Sequence, residues 1–246
     1  MSNRHSLFQM ALISFMLLFF SLGASCSSGK ENNSLAYRAE SDNILGRVPD
    51  GWTRYYVSYG AFGISVPPTM ELRKDKQLVT ERISNCALVM NKAQAVFQQK
   101  GLSTALPQKQ NDHYARVMID YSISEGDTPY LDLWDDWGEI TQADKDYYRE
   151  LVEQNLKNPY GEADFQLVEE PTYRGINLEP NYNLGVRALE IAYRRTGYEN
   201  TTVNVHIYIL FNHWECAQIT VAYREQEAEL WKSDLNKVIS TFSWKI

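Results

Sequence analysis

The residues of this sequence best suited to chemistry lie in one acidic and aromatic stretch, YLDLWDDWGE, at residues 130–139. Its carboxylates offer the hard oxygen ligands that calcium prefers, although their spacing matches no EF-hand loop. Its rings can stack on a sugar or on a partner's side chain. Acids ahead of a helix are also favoured by the helix dipole. Three interpretations therefore stay open: a calcium site, a structural loop that caps the next helix, and a contact surface. The contact surface would comprise Tyr130, Trp134, Asp135, Asp136 and Trp137.

Other catalytic and metal-binding signals are weak. His206 lies on the polar side of an alternating strand and His213 at the turn after it, and two histidines without a third ligand are poor evidence for metal. The sequence has no GxSxG nucleophile elbow. We therefore predict no metal, no cofactor and no enzymatic activity. A hydrolase that uses acids of residues 130–139 is the least favoured alternative.

Two cysteines fall in the body of the chain, Cys86 and Cys216. In an exported protein they can form a disulfide, but that bond needs Cα atoms within about 7 Å of each other. Both lie in apolar strings typical of buried thiols. Two buried thiols are the favoured interpretation, and a disulfide between them is the alternative.

The charge balance excludes one large class of partner. The chain has 31 acidic and 24 basic residues, a formal net charge of −7, whereas nucleic-acid binding needs a basic stripe. The same balance argues against electrostatic adhesion to anionic lipid. The 16 Tyr and 6 Trp indicate either a sheet-rich core or an exposed contact surface.

The first half of the body is predicted to be mostly strands. Aromatic and β-branched runs at 52–58 and 61–66 predict a hairpin, which the prolines at 67–68 end. Residues 86–99 fit one helix or two short strands, and their last part predicts a strand that closes on Gly101. Alternating apolar residues at 115–124 predict another strand.

The second half alternates helices with a meander. Thr141 and Asp144 resemble a capping box, and apolar residues at three- and four-residue spacing predict a helix that ends near Pro159. A polar loop follows. Strands are predicted at 186–195, at 202–211, where the apolar residues from Val203 to Phe211 alternate with polar ones, and at 214–223. A closing helix is predicted at 225–242, because one apolar stripe that must pack on the sheet is formed by Ala228, Trp231, Leu235, Val238, Ile239 and Phe242.

These elements predict an α+β fold in which helices cover an antiparallel sheet. The hairpin FGISVPP and the closing DLNKVISTFSW, together with the lone strand, the helix and the meander, resemble the PsbP-like α-β-α sandwich. The resemblance covers most of residues 51–246 and carries no catalytic residues. Members of that family mostly act as accessory or binding proteins attached to larger assemblies, so the resemblance implies a non-enzymatic role.

The N-terminus has the layout of an export signal. One Arg precedes an apolar run at 10–22, which is too short for a comfortable membrane span. Small residues and Cys26 follow, and the segment resembles a bacterial lipoprotein signal, although Leu22 lies one place further from Cys26 than the usual pattern has it. We predict a signal peptide at 1–25 and a lipid at Cys26. Cleavage after Ala24, without a lipid, is the alternative.

Residues 26–50 are polar and predict a flexible tether, leaving one globular domain at 51–246. The SGKEN start of the tether loosely resembles surface lipoproteins of the Bacteroidetes, which implies the outer membrane. The expected role is that of a lipid-anchored binding or accessory module with an envelope protein as partner. A glycan or cell-wall ligand held by the 130–137 aromatics is the alternative.

Overall fold

The computed structural model describes residues 36–38, 48–73, 93–101, 113–123, 140–157, 163–178, 186–212 and 214–244. Within these ranges eleven strands and two α-helices are present. The strands are β1 (Ala36–Arg38), β2 (Thr53–Val57), β3 (Phe62–Val66), β4 (Met70–Leu72), β5 (Ala93–Gln99), β6 (Ala115–Ile123), β7 (Leu167–Leu178), β8 (Val186–Thr196), β9 (Thr202–Asn212), β10 (Glu215–Arg224) and β11 (Ser243–Trp244). The helices are α1 (Gln142–Asn155) and α2 (Ala228–Ser240).

The described strands form two antiparallel sheets. The larger runs β4-β5-β6-β10-β9-β8-β7, and the smaller runs β1-β2-β3-β11. The predicted meander is confirmed, because β8, β9 and β10 pair in sequence order. The predicted hairpin is confirmed by the pairing of β2 with β3. The α+β class, with helices covering an antiparallel sheet, is therefore confirmed.

The larger sheet buries both of its faces. One face packs on α2 and the smaller sheet, and its core includes Phe62, Phe97, Ile119, Leu210 and Leu235. The other face packs on α1, whose Tyr148 and Val152 lie against Leu189, Ile191 and Ile207. Side chains alternate between the two faces along each strand, so any polar residue in the middle of a strand needs a partner on its own face.

The two helices match their sequence patterns. Thr141 accepts a hydrogen bond from the amide of Asp144 and donates its own amide to the Asp144 carboxylate, which completes the predicted capping box. In α2 the predicted stripe is confirmed, with Trp231, Leu235, Val238 and Ile239 buried. Helix α2 follows β10 in the chain, and its apolar stripe packs on the sheet that contains β10.

Strand β7 was not expected, because the sequence predicts a polar loop between α1 and β8. The structure instead places a twelve-residue strand there, paired with β8. The sequence does not predict this strand, because Glu169, Glu170 and Pro171 interrupt the alternation of apolar and polar residues and most of its side chains are exposed. Backbone pairing and the half-buried Ile176 and Leu178 hold it, rather than a continuous apolar face.

Residues 86–99 and the predicted tether each contribute a strand. The part of 86–99 that is described forms β5, and Gly101 follows it with a positive φ of 85°, as predicted for a turn glycine. Within the segment predicted as a tether, Ala36–Arg38 forms β1 and pairs with β2. Ala36 is buried in the core, which holds this short strand at the edge of the smaller sheet. Its neighbours in the sequence are polar, so the strand is not predicted from the sequence.

Arg54 joins the smaller sheet to the C-terminus of α2. Its buried guanidinium donates to the carbonyl of Thr241 at 2.5 Å and to the hydroxyls of Ser65 and Ser243. Burial lowers the pKa of Arg54 to about 10. Gly63 faces this group, and a Cβ at Gly63 would lie 2.4 Å from an Arg54 nitrogen. A larger residue at Gly63 would therefore displace the guanidinium of Arg54 from its hydrogen bonds.

Candidate binding site at the edge of the large sheet

The site residues predicted from the sequence are largely outside the described ranges. They include Cys26, Cys86, His213 and the five members of the proposed contact surface, Tyr130, Trp134, Asp135, Asp136 and Trp137. The lipid site, the aromatic contact surface and its glycan alternative therefore stay predictions. In the part of the chain that the structure describes, no group of three or more His, Cys, Asp or Glu is arranged to hold a metal ion.

Cys216 is a buried thiol on the face of the large sheet that packs on α1. Burial raises its pKa to about 12, although the hydroxyl of Ser122 lowers it slightly. Its predicted disulfide partner, Cys86, lies outside the described residues, so that pairing stays a prediction.

His206 belongs to a polar cluster that is not predicted from the sequence. Its Nδ1 lies 3.1 Å from the Glu190 carboxylate. Its ring stacks between Tyr208 and Tyr223, with centroids 6.3 Å and 6.4 Å away and planes within 9° of parallel. These residues sit on β8, β9 and β10, on the face that packs on α2.

Glu190 is the centre of this cluster. Only 7% of its side chain is exposed. One carboxylate oxygen contacts His206 and accepts the Tyr208 hydroxyl at 3.1 Å, while the other accepts Nε of Arg174 at 2.8 Å. Burial by itself would raise the pKa of Glu190, but the hydrogen bonds and charges of His206 and Arg174 outweigh it and lower the pKa to about 2. Glu190 is therefore ionised throughout the neutral range.

Arg174 connects this cluster to the edge of the sheet. It lies on β7 directly opposite Glu190, and 70% of its side chain is exposed. Two of its nitrogens donate to Glu190, so the guanidinium is fixed at one side and open to solvent at the other. A fixed, exposed guanidinium is pre-organised for a carboxylate or a carbonyl oxygen.

The two halves of β7 differ as edges. The first half carries two register shifts against β8 and contains Pro171, and such features blunt an edge against further pairing. Its acids are already bound, Glu169 by Arg194 and Glu170 by Arg149. From Thr172 to Leu178 the register is regular, so this second half is a straight strand edge.

Positive charge flanks the regular half. Arg187 lies opposite Asn177, on β8, is exposed and forms no ion pair with any described residue. Arg174 lies three residues before Asn177 along the edge. We call the backbone of residues 172–178 with Arg174 and Arg187 the β7 edge.

The cluster behind the β7 edge is suited to positioning rather than to catalysis. The rings of Tyr208, His206 and Tyr223 are parallel, with neighbouring centroids 6.3 Å and 6.4 Å apart, and Glu190 holds the His206 ring in place. Burial, together with the nearby Glu190 carboxylate and its hydrogen bond, raises the pKa of Tyr208, so its hydroxyl stays a donor. An ionised Glu190 cannot act as a general acid near neutral pH.

The sequence contains one indication of this cluster. Glu190 lies in the apolar string VRALEIAY at residues 186–193, and a carboxylate in a central strand requires a partner. His206 and Tyr208 are two residues apart on the next strand, so their side chains lie on the same face of the sheet. The contribution of Arg174 was hidden because its strand was not predicted.

Comparisons with known proteins give similarity to solved structures only. No protein-family model matches this sequence, and no curated protein is significantly similar to it. The solution structure of cyanobacterial PsbP (CyanoP) from Synechocystis is similar at 15% identity and a TM-score of 0.48, over 82% of this chain and 98% of that one. LpqN of Mycobacterium tuberculosis, described as involved in cell envelope biogenesis, is similar at 9% identity and a TM-score of 0.41, over 87% and 93%.

These similarities include a member of the family that the sequence resembles, but at such identities and TM-scores they support no inference about activity, ligand or partner. Across the described residues, no helix has both the length and the apolar character needed to cross a membrane.

Proposed function

We propose that this chain is a lipid-anchored, non-enzymatic binding module of the cell envelope, and that its domain docks an extended acidic segment of another envelope protein along the β7 edge. In this proposal the signal peptide ends at residue 25 and Cys26 carries the lipid, in the outer membrane. The observation that carries the docking step is the regular, one-sided pairing of residues 172–178 within the described sheet.

The backbone supplies the affinity in this arrangement. An edge strand presents a row of amide and carbonyl groups, and an extended segment that pairs with them adds a strand to the sheet. Pairing would stop at Pro171, where the register of β7 against β8 shifts. The length of the docked segment is therefore limited to about the seven residues of the regular half.

The side chains supply the preference for acidic partners. Arg187 is exposed and forms no ion pair with a described residue, and Arg174 is held by Glu190 with its outer side open. The nearby acids, Glu169 and Glu170, are bound by other arginines, so they offset little of this charge at the regular half. Arg187 lies one strand in from the edge, so a carboxylate of the docked segment opposite Asn177 would be about 10 Å from it across β7 and would be attracted by its positive charge.

The chemistry of the Glu190 cluster supports a binding role. Its carboxylate is ionised and hydrogen-bonded, and its histidine is oriented by Glu190 and stacked between two tyrosines. The bonds of Glu190 to Arg174 hold β7 to β8, and its bonds to His206 and Tyr208 hold β8 to β9. The cluster stiffens the edge on which a partner docks.

The test is affinity purification of the full-length protein from its own cells in native detergent, as wild type, Arg187→Glu and Lys232→Glu. Lys232 is an exposed residue of α2, so its reversal matches the charge change away from the β7 edge. Reversing the charge of Arg187, one strand in from the docked acidic segment, costs on the order of 1.4 kcal/mol, or about tenfold in affinity. We expect a stoichiometric envelope protein with wild type and Lys232→Glu, and much less of it with Arg187→Glu.

Two outcomes would contradict this proposal. A protein that purifies alone excludes a stable complex, and equal recovery of a partner by all three chains excludes the β7 edge as its docking site. The anchor is tested separately by acyl labelling, where label in wild type and none in Cys26→Ala is the expected result.

A further inference from the structure

Two large apolar side chains are exposed at one end of the large sheet. Trp214, at the turn between β9 and β10, is 42% exposed, and Ile123, the last residue of β6, is 55% exposed. Glu215 pairs with Ile123 across the sheet, so Trp214 and Ile123 lie on neighbouring strands. We call this pair with the surrounding strand ends the Trp214 tip.

The chain enters the domain at this same end. Ala36 opens β1 and pairs with Val57, and Val57 pairs with Phe62. Phe62 packs on Tyr121 of β6 at 6.0 Å between ring centroids. The hydroxyl of Tyr121 donates to Glu215, the neighbour of Trp214. The N-terminal entry point and the Trp214 tip are therefore on one end of the molecule.

The tether length restricts which end can face a membrane. Cys26 precedes Ala36 by ten residues, which span at most ~35 Å when fully extended. Strand β10 has ten residues and is itself ~33 Å long. The opposite end of the sheet would reach the bilayer only with the tether drawn out to nearly its full length, whereas the Trp214 tip lies at the end where the tether attaches.

We propose that the Trp214 tip lies against the lipid bilayer, with Trp214 and Ile123 placed in its interfacial region. This inference rests on the proposed lipid at Cys26. It assigns different tasks to two parts of the domain: the strand ends contact lipid, and the β7 edge, whose Leu178 end lies at this same end of the sheet, binds the partner beside the membrane.

The chemistry of the tip suits a neutral lipid surface. Tryptophan is favoured at the membrane interface because its ring is apolar and its indole N–H is a donor. Among the described residues, the acid next to Trp214 is Glu215, which accepts hydrogen bonds from Tyr121 and from Asn212. With a chain net charge of −7, attraction to anionic headgroups would not hold this contact, so we expect it to form with zwitterionic lipid.

The experiment uses the full acylated chain, purified in detergent and reconstituted into vesicles of phosphatidylcholine with brominated acyl chains, which quench tryptophan on contact. We expect Trp214→Phe to lose quenching that wild type shows, and Trp52→Phe to keep it. Trp52 precedes β2, at the other end of the smaller sheet. Far-UV circular dichroism of the detergent-purified variants verifies that they are folded.

Two double variants, each with a tryptophan introduced at another position, make the test more specific. Ile123→Trp in the Trp214→Phe background restores the quenching if the tip contacts lipid. Leu230→Trp in the same background does not, since Leu230 is equally exposed at 51% but lies in the first turn of α2, beyond the far end of β10. The reverse pattern, or equal quenching of the two, would overturn the proposal.

Flotation of the vesicles tests the lipid anchor at Cys26 separately from the contact between the Trp214 tip and the bilayer. A chain that floats with the vesicles while Trp214→Phe changes nothing retains its anchor and disproves the tip contact. A wild-type chain that does not float disproves both the anchor and the tip contact.

Discussion

Replacing Glu190 by Gln tests whether the polar cluster stabilises β7 and β8 through charge. The Gln carbonyl can still accept from His206 or Tyr208, but its amide nitrogen would place a donor against the Arg174 guanidinium. The variant therefore keeps the shape of the site and removes the charge-assisted bond. We expect a fold that is intact and less stable at neutral pH.

The size of the effect follows from the pKa of Glu190. Burial by itself raises this pKa, but the bonds from His206 and Arg174 bring it from an ordinary 4.5 down to about 2. That difference is equivalent to roughly 3 kcal/mol at 1.36 kcal/mol for each pH unit. Because 70% of the Arg174 side chain is exposed, solvent screens part of it, and about 2 kcal/mol remains.

The pH dependence has a defined sign. A carboxylate whose pKa is lower in the folded state stabilises the protein above its unfolded pKa, and this contribution disappears as the pH falls through the folded pKa. The difference in unfolding free energy between wild type and Glu190→Gln should therefore be about 2 kcal/mol at pH 7. It should fall to below about 1 kcal/mol at pH 3.

The assay is urea unfolding followed by far-UV circular dichroism at pH 7, 5, 4 and 3. A difference that is the same at every pH would show that the loss comes from packing rather than from ionisation. A variant as stable as wild type at pH 7 would refute the claim that Glu190 fastens the β7 edge.

Three further predictions concern the frame of the domain. Arg54→Met should lower the unfolding free energy by about 2–3 kcal/mol, because the carbonyl of Thr241 and its neighbours lose a buried charged donor; thermal denaturation would show no change if Arg54 were dispensable. Thr141→Ala should cost about 1 kcal/mol through the helix cap, and adding Asp144→Ala should cost less than the two single losses combined, which urea unfolding of all three variants measures. Cys216 should resist iodoacetamide at pH 8 in the folded protein, because burial raises its pKa to about 12, and should react in urea; peptide mass mapping that finds it alkylated without urea would contradict its burial.

The sequence was sufficient where pattern and packing agree. The alternation from Val203 to Phe211 predicted β9, and the spacing of Trp231 and Leu235 predicted a helix lying on the sheet. The Thr141 capping box was readable because two side chains at fixed spacing satisfy each other's backbone amides. Such local signals were enough for the α+β class and for the order of most elements.

It was insufficient where a strand depends on its neighbours. β7 carries Pro171 and exposed acids, so it lacks the apolar alternation of a strand and exists because β8 pairs with it. β1 is three residues long and is defined by β2 in the same way. The Glu190 cluster joins residues from three strands, and its Arg174 comes from the strand that the sequence concealed. Cross-strand register sets such contacts, and no local pattern records it.

The most direct test of the account is amide hydrogen exchange of the full-length protein with and without its co-purified partner. Docking along the β7 edge predicts slower exchange for the alternate amides of residues 172–178 that point away from β8, and unchanged exchange for residues 167–170, which precede Pro171 and lie where the register shifts blunt the edge. Unchanged exchange along residues 172–178, with protection elsewhere on the domain, would contradict the proposed mode of binding.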